Sequence, residues 1–231
     1  MAAHTLTDLY VEELRDLYSA ERQILKALPK MVKAATNQRL KDAFESHREK
    51  TEEHVQRLEG IFEELGKSPK GKTCHGMEGV LEEGADLIEE EPDPPVLDAG
   101  LISAAQHVEH YEMAGYGSAR TWAEQLGFDN HVSLLQQTLD EEKEADEALT
   151  RLAEQSVNRE AERETEVSRA ATRMADTAPK RSSSTPRSTP GKLPRTPACR
   201  PADPSADRRS PASPAGCRRS LFSPRGYERL I

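Results

Sequence analysis

The sequence lacks the means for a thiol-built framework. It holds three cysteines, Cys74, Cys199 and Cys217, an odd number with no C-x-x-C pair. That argues against a disulfide scaffold and against a thiolate zinc site. The opening MAAHTLTDLY has no basic stretch followed by an apolar one, so no secretory signal is expected. No apolar run approaches the roughly 20 residues that a membrane span requires. The expected setting is a reducing cytoplasm, with no membrane partner. Alternating Val/Ile/Thr runs are also missing, which leaves nothing to read as a strand.

What is present divides into two parts. The 231 residues suffice for one ordinary domain and an extension. The net charge of -9 hides a split: residues 169–231 carry 14 Lys/Arg against 4 Asp/Glu, whereas residues 1–168 carry 18 against 37. A body this acidic repels phosphate backbones and is a poor nucleic-acid binder. It also attracts cations. Ten of the 15 prolines lie between Pro179 and Pro224, among Ser and Arg. Such a segment buries too little apolar surface to offset its chain entropy. The expected organisation is a helical domain over 1–160 and a disordered, Ser/Pro/Arg-rich basic tail over 161–231. The tail lacks aromatic interleaving and any period, and its partners are unknown.

Within the acidic body, apolar residues recur at the helical period. A first helix is expected to start near Thr5, which has the capping-box spacing with Asp8. Pro29 should kink or end it, although Met31 and Val32 could prolong it. A second helix starts at Asn37 and carries Leu40, Phe44, His47, Thr51, His54, Leu58, Phe62 and Leu65 in one stripe. A connection of about 30 residues follows, with one short amphipathic piece from Met77 to Ile88. A third long helix runs from near Val96 to Gln125, ended by Gly127, and a fourth is capped by Asp129. Two helices, a long crossover and two more helices specify a four-helix bundle in which the second and third helices run parallel.

The stripes contain polar groups, most of them ionisable, where apolar ones are expected. Glu21, His47, Thr51, His54, Glu112 and Glu142 fall near the middles of their helices, and mid-helix positions of a bundle meet at one level. Burying a lone carboxylate costs several kcal/mol after relaxation. A cluster of them calls for positive charge, which two divalent cations held by oxygen and imidazole would supply. The competing reading is a hydrogen-bonded polar layer, with His47 and Glu112 satisfied by tyrosine hydroxyls and waters.

The stretches DLYVEELRDLYSAERQILKALPKM, GKSPKGKTCHGMEG, AAQHVEHYEMAGYGSAR and LLQQTLDEEKEADEAL together resemble the YciE/YciF group of ferritin-like proteins over roughly residues 5 to 155. The resemblance implies an all-α, ferritin-like bundle, a homodimer, a stress-associated cytoplasmic role and a di-iron-type centre, with manganese or no metal as the other outcomes. Carried over by position, Glu21, His47, Glu112 and Glu142 are the main candidate ligands, and Glu109 and Asp146 the next. Glu13 would serve only if the layer sat lower. Tyr10, Tyr18, Tyr111 and Tyr116 are candidates for donors beside the centre or for packing, and Trp122 for packing. The superfamily's Glu-x-x-His pairs occur nowhere in this chain. Lys50, next to the stripe, would compete with a cation. The chemistry expected is iron reacting with peroxide or dioxygen. The alternatives are a non-enzymatic interaction module with a structural polar layer, and a storage cage.

Overall fold

A computed structural model of the chain describes residues 3–177. The expectations for residues 178–231 lie outside the described residues. The described chain forms α1 (Leu6–Ala34), α2 (Gln38–Glu64), α3 (His75–Glu89), α4 (Pro94–Leu126), α5 (Asp129–Leu152) and α6 (Asn158–Thr177), with a π-helical turn, Ala153–Val157, joining the last two. No strand occurs among the described residues.

Local chemistry sets the helix ends. The Thr5 hydroxyl accepts from the Asp8 amide at 3.1 Å, and the Asp8 carboxylate accepts from the Thr5 amide at 3.1 Å. Both donors would otherwise be orphaned in the first turn. The Asn37 side chain does the same for Arg39 and Leu40. Pro94 and Pro95 open α4, where a missing N–H costs nothing. Gly127 closes it in the left-handed region, at φ 76°. Two expectations need correction here. Pro29 does not end α1; it sits on the exposed side, and the helix continues five residues to Ala34. Asp129 does not cap α5. It is the first helical residue, and Phe128 occupies the cap position with no side-chain bond. Asp129 therefore contributes a charge to the first turn rather than a hydrogen bond.

The expected boundary at residue 160 falls inside a helix. Residues 158–168 contain neither Gly nor Pro and are rich in Glu and Arg, which favour helix. Val157, 1% exposed, anchors the preceding turn in the core.

The bundle is square. α1 packs on α2 and α4, and α5 packs on α4 and α2. Thr36, just past the end of α1, meets Asp98 near the start of α4, and Tyr10 meets Phe128 at the other end. Those contacts make α1 and α4 antiparallel. His54 meets Glu142 and His131 meets Glu64, so α2 and α5 are antiparallel too. It follows that α2 and α4 run the same way at opposite corners, as the long crossover requires. α3, within that crossover, lies on α4 and α1.

The core is interrupted at mid-height. One apolar cluster takes Ile24, Leu28 and Met31 from α1, Leu40 and Phe44 from α2, Leu101 and Val108 from α4, and Leu149 from α5. The other takes Tyr10, Leu14 and Leu17, then Leu58 and Phe62, then Tyr116 and Ala119, then Leu135. On each helix the two sets are separated by a polar position: Glu21, the His47–His54 segment, Glu109 to Glu112, and Glu142. A layer of buried polar side chains divides two apolar halves.

Candidate metal centre

Each helix brings its polar residue inward for the same reason. Its apolar neighbours three and four positions away are buried, so the residue between them must share that face. Glu21, Glu112 and Glu142 are 0% exposed, His54 is 1% and Glu109 is 2%. His47 keeps 11% of its side chain exposed. The helical period alone therefore accounts for carboxylates in the stripe of α4: they face the centre of the bundle.

Two groups of ligand-type atoms form there. His47, Glu109, Glu112 and Glu142 make one, and Glu21, His54 and Glu142 the other. Within each group the donor atoms lie within 4.8 Å of one another. Glu142 belongs to both. His54 Nδ1 is 2.9 Å from Glu142 Oε1 and 3.4 Å from Glu21 Oε1. His47 Nε2 is 3.5 Å from Glu109 Oε1. These contacts are not aligned as hydrogen bonds. Among the described residues, the buried side-chain N and O atoms with no hydrogen-bond partner are Glu21 Oε2, His47 Nε2, His54 Nδ1, Glu109 Oε2, and both oxygens of Glu112 and of Glu142. All eight atoms belong to residues of the two groups. Unsatisfied buried polar atoms are few in folded proteins, and each one is costly. Their concentration on facing oxygens and imidazole nitrogens is the donor set of a divalent transition metal. The residues present therefore fit a cation pair that shares Glu142.

The electrostatics agree. Burial raises the carboxyl of Glu21 above its usual range. Burial and neighbouring carboxylates push Glu109 and Glu112 well above theirs. Burial lowers His47. For His54 burial also pulls downward, but contacts with Glu142 and Glu21 outweigh it and hold the imidazole up at about 10. Glu142 goes the other way: burial raises it, and His54 and His47 bring it below the usual value. Like-charged groups this close cannot all ionise without a compensating charge.

The surroundings orient the donors. Glu141 Oε2 lies 2.9 Å from His54 Nε2. Arg57 grips Glu141 with contacts of 2.7 and 3.1 Å and also donates to Thr138 at 2.8 Å. Although burial raises it, the Arg57 guanidinium brings the Glu141 carboxyl down to about 2, so it stays ionised. As an acceptor it keeps a proton on His54 Nε2 and aims Nδ1 at Glu21 and Glu142; a bound cation would take the place of the Nδ1 proton that those carboxylates otherwise hold. Tyr116 donates to the other side, onto Glu21 Oε1. Burial and the nearby carboxylates push its hydroxyl well above the tyrosine range, so it keeps its proton.

Five of the six sequence candidates, Glu21, His47, Glu109, Glu112 and Glu142, come together. Asp146 lies outside both groups and accepts from the Gln106 amide at 2.9 Å. Lys50 stands away from the layer, on the surface, 3.3 Å from Glu53 and 4.0 Å from Glu141. The tyrosine in the layer serves Glu21, not Glu112 or His47. The sequence candidates do not include His54 or Glu141. His54 was in the buried stripe, one turn after the fully buried Thr51, and that was the available signal. Glu141 carried none, because its role depends on Arg57 from another helix.

Comparison with known proteins gives the same outline. The family described as a domain of unknown function, DUF892, matches residues 5–162. Protein YciF of Escherichia coli K12 is 44% identical over 163 residues, covering 70% of this chain and 98% of that protein. The crystal structure of the E. coli stress protein YciF superposes with a TM-score of 0.65 at 43% identity, over 68% of this chain and 99% of that one. YcfI of Rhodopseudomonas palustris, whose description suggests a structural role, gives 0.62 at 44% identity, over 64% and 94%. A Xanthomonas campestris protein at 20% identity, with a TM-score of 0.56 over 70% and 99%, shares the fold. With the match spanning the whole bundle, the chain belongs to the DUF892 family, in the YciF group.

Proposed function

We propose that this chain is a ferritin-like, cytoplasmic stress-response protein with a carboxylate/histidine centre for two divalent cations, iron first among them. One observation carries the reading: among the described residues, all eight unpartnered buried side-chain atoms belong to residues of two donor groups joined by Glu142. His47, Glu109 and Glu112 would hold one cation and Glu21 and His54 the other, with Glu142 common to both; Asp146 is left outside. Bound iron would supply electron transfer to peroxide or dioxygen. The chain's own residues do the rest. Apolar clusters lie above and below the layer and lower the polarity around it. Glu141 fixes the His54 ring, and Tyr116 holds a proton at its hydroxyl beside Glu21. The implied homodimer is checked by light scattering of the same preparation, which also tests for a storage cage.

A second reading is favoured by His54. An imidazolium held by Glu21 and Glu142 partly balances the layer without a cation, as a purely structural core would need. Metal addition separates the two. The purified full chain, stripped with chelator and titrated with ferrous iron under anaerobic conditions, is expected to take up two equivalents, and its melting temperature to rise, because a ligand bound only by the folded state must stabilise it. Peroxide consumption by the loaded protein is the activity readout. No uptake and an unmoved melting temperature, with iron and with manganese, would leave the structural reading.

A further inference from the structure

Beside the donor layer lies a cavity of about 250 Å³ with walls from α1, α2, α4 and α5 and a contribution from Leu81 of α3. Apolar side chains form most of it: Ile24, Leu28, Phe44, Val108 and Leu149. Its existence has a sequence cause. Ala27, Ala43, Ala105 and Ala145 line it from four different helices, with the exposed Ala148 at its edge, and their short side chains leave space that longer ones would occupy. The cavity opens between α2 and α5, past the exposed Ser46, Lys50 and Glu144. Its inner wall includes His47 and Glu109. Glu109 is 2% exposed, its Oε2 has no partner, and it belongs to the donor group. The apolar space thus runs from solvent to the candidate centre.

We propose that this cavity is a ligand subsite of the centre and takes a small, neutral, largely apolar organic molecule. The inference rests on the metal reading and adds the class of molecule brought to it. Size follows by proportion: a dry cavity of about 150 Å³ accommodates benzene, so this one accommodates about ten non-hydrogen atoms. Charge follows from the lining. An anion would face Glu109 inside and Glu141 and Glu144 near the opening, while Lys50 is already beside Glu53 and Glu141. Burying an ionised group against apolar walls is costly in any case. A neutral molecule meets neither penalty, and its burial is favoured by the area removed from water.

The test uses the full chain with 1-octanol as probe and octanoate as its charged counterpart, read by calorimetry alongside metal content. Octanol is expected to bind saturably at one site per chain, and octanoate at least tenfold more weakly. Ala105→Leu places a larger side chain inside the cavity and should weaken octanol at least tenfold while metal uptake stays as in the wild type. Ala145→Leu, from a different helix, covers the case in which the first variant fails to fold. Normal metal uptake without saturable octanol binding would overturn the subsite and leave the metal centre standing. Octanol bound by a chain that takes up no metal would overturn the link to a centre. Equal binding of octanol and octanoate, or folded leucine variants that bind as the wild type does, would also overturn it.

Discussion

At the scale of single residues, the candidate centre depends on side chains outside its donor groups. His54 presents Nδ1 to Glu21 and Glu142 because its other nitrogen is engaged by Glu141, and Glu141 stays in place because Arg57 grips both its oxygens. A carboxylate behind a ligating histidine fixes the ring and its tautomer, and its loss typically costs 10–100-fold in metal affinity. Glu141→Gln is therefore expected to weaken iron binding by roughly that factor. Helix content, measured by circular dichroism, should stay at the wild-type level. Glu144→Gln, an exposed change one turn of chain away, should alter neither and serves as the control. Unchanged affinity in Glu141→Gln would mean that the ring is held by packing alone.

At the scale of elements, buried acids tie separate helices together. Asp98 of α4 is 2% exposed and accepts from the Thr36 amide at 2.7 Å, the Thr36 hydroxyl at 2.6 Å and the Asn37 amide at 2.8 Å. One carboxylate thereby satisfies the turn between α1 and α2 from a third helix. Hydrogen bonds to a charged group contribute about 1.5–3 kcal/mol each, with strong overlap among the three. Asp98→Ala should cost about 3 kcal/mol in a denaturant titration. The crossover has its own latch. Asp16 accepts from Tyr111 at 2.8 Å, lies 2.8 Å from the Cys74 sulfur, and pairs with Lys72 at 2.9 Å. Burial raises the Asp16 carboxyl, but Cys74, Lys72 and Tyr111 outweigh it and hold it below 3.8. A depressed folded-state value means stability that is present above the unfolded value and lost as pH falls through the folded one. The stability gap between wild type and Asp16→Asn should thus be full near neutrality and narrow below about pH 4. A gap constant down to pH 3 would show that the latch works through shape, not charge.

For the molecule as a whole, the polar layer is a cost set in the middle of the core. Two apolar halves would join into one if the layer were apolar. Glu112, with both oxygens buried and unpartnered, is the place to measure it. Relieving an unsatisfied buried group returns about 1–3 kcal/mol. Glu112→Leu should raise the metal-free melting temperature by roughly 3–9 °C and remove the further rise caused by iron. A fall in the metal-free value would mean that the layer is satisfied in some other way. The sequence by itself determined the helical class, the crossover topology, the caps at Thr5 and Asn37, and the polar residues shared by all four stripes. Period and capping are local and can be read along the chain. It set the domain boundary at residue 160, which falls within the helix Asn158–Thr177, because polarity marks a solvated helix as readily as a tail. Only the tertiary structure decided that His54 joins the donor groups, that Asp146 and Lys50 do not, that Glu141 orients from behind, and that alanines line a cavity beside the layer. Each of these is a distance between side chains on different helices. Such distances depend on rotation and depth in the bundle, and no spacing within one helix encodes them.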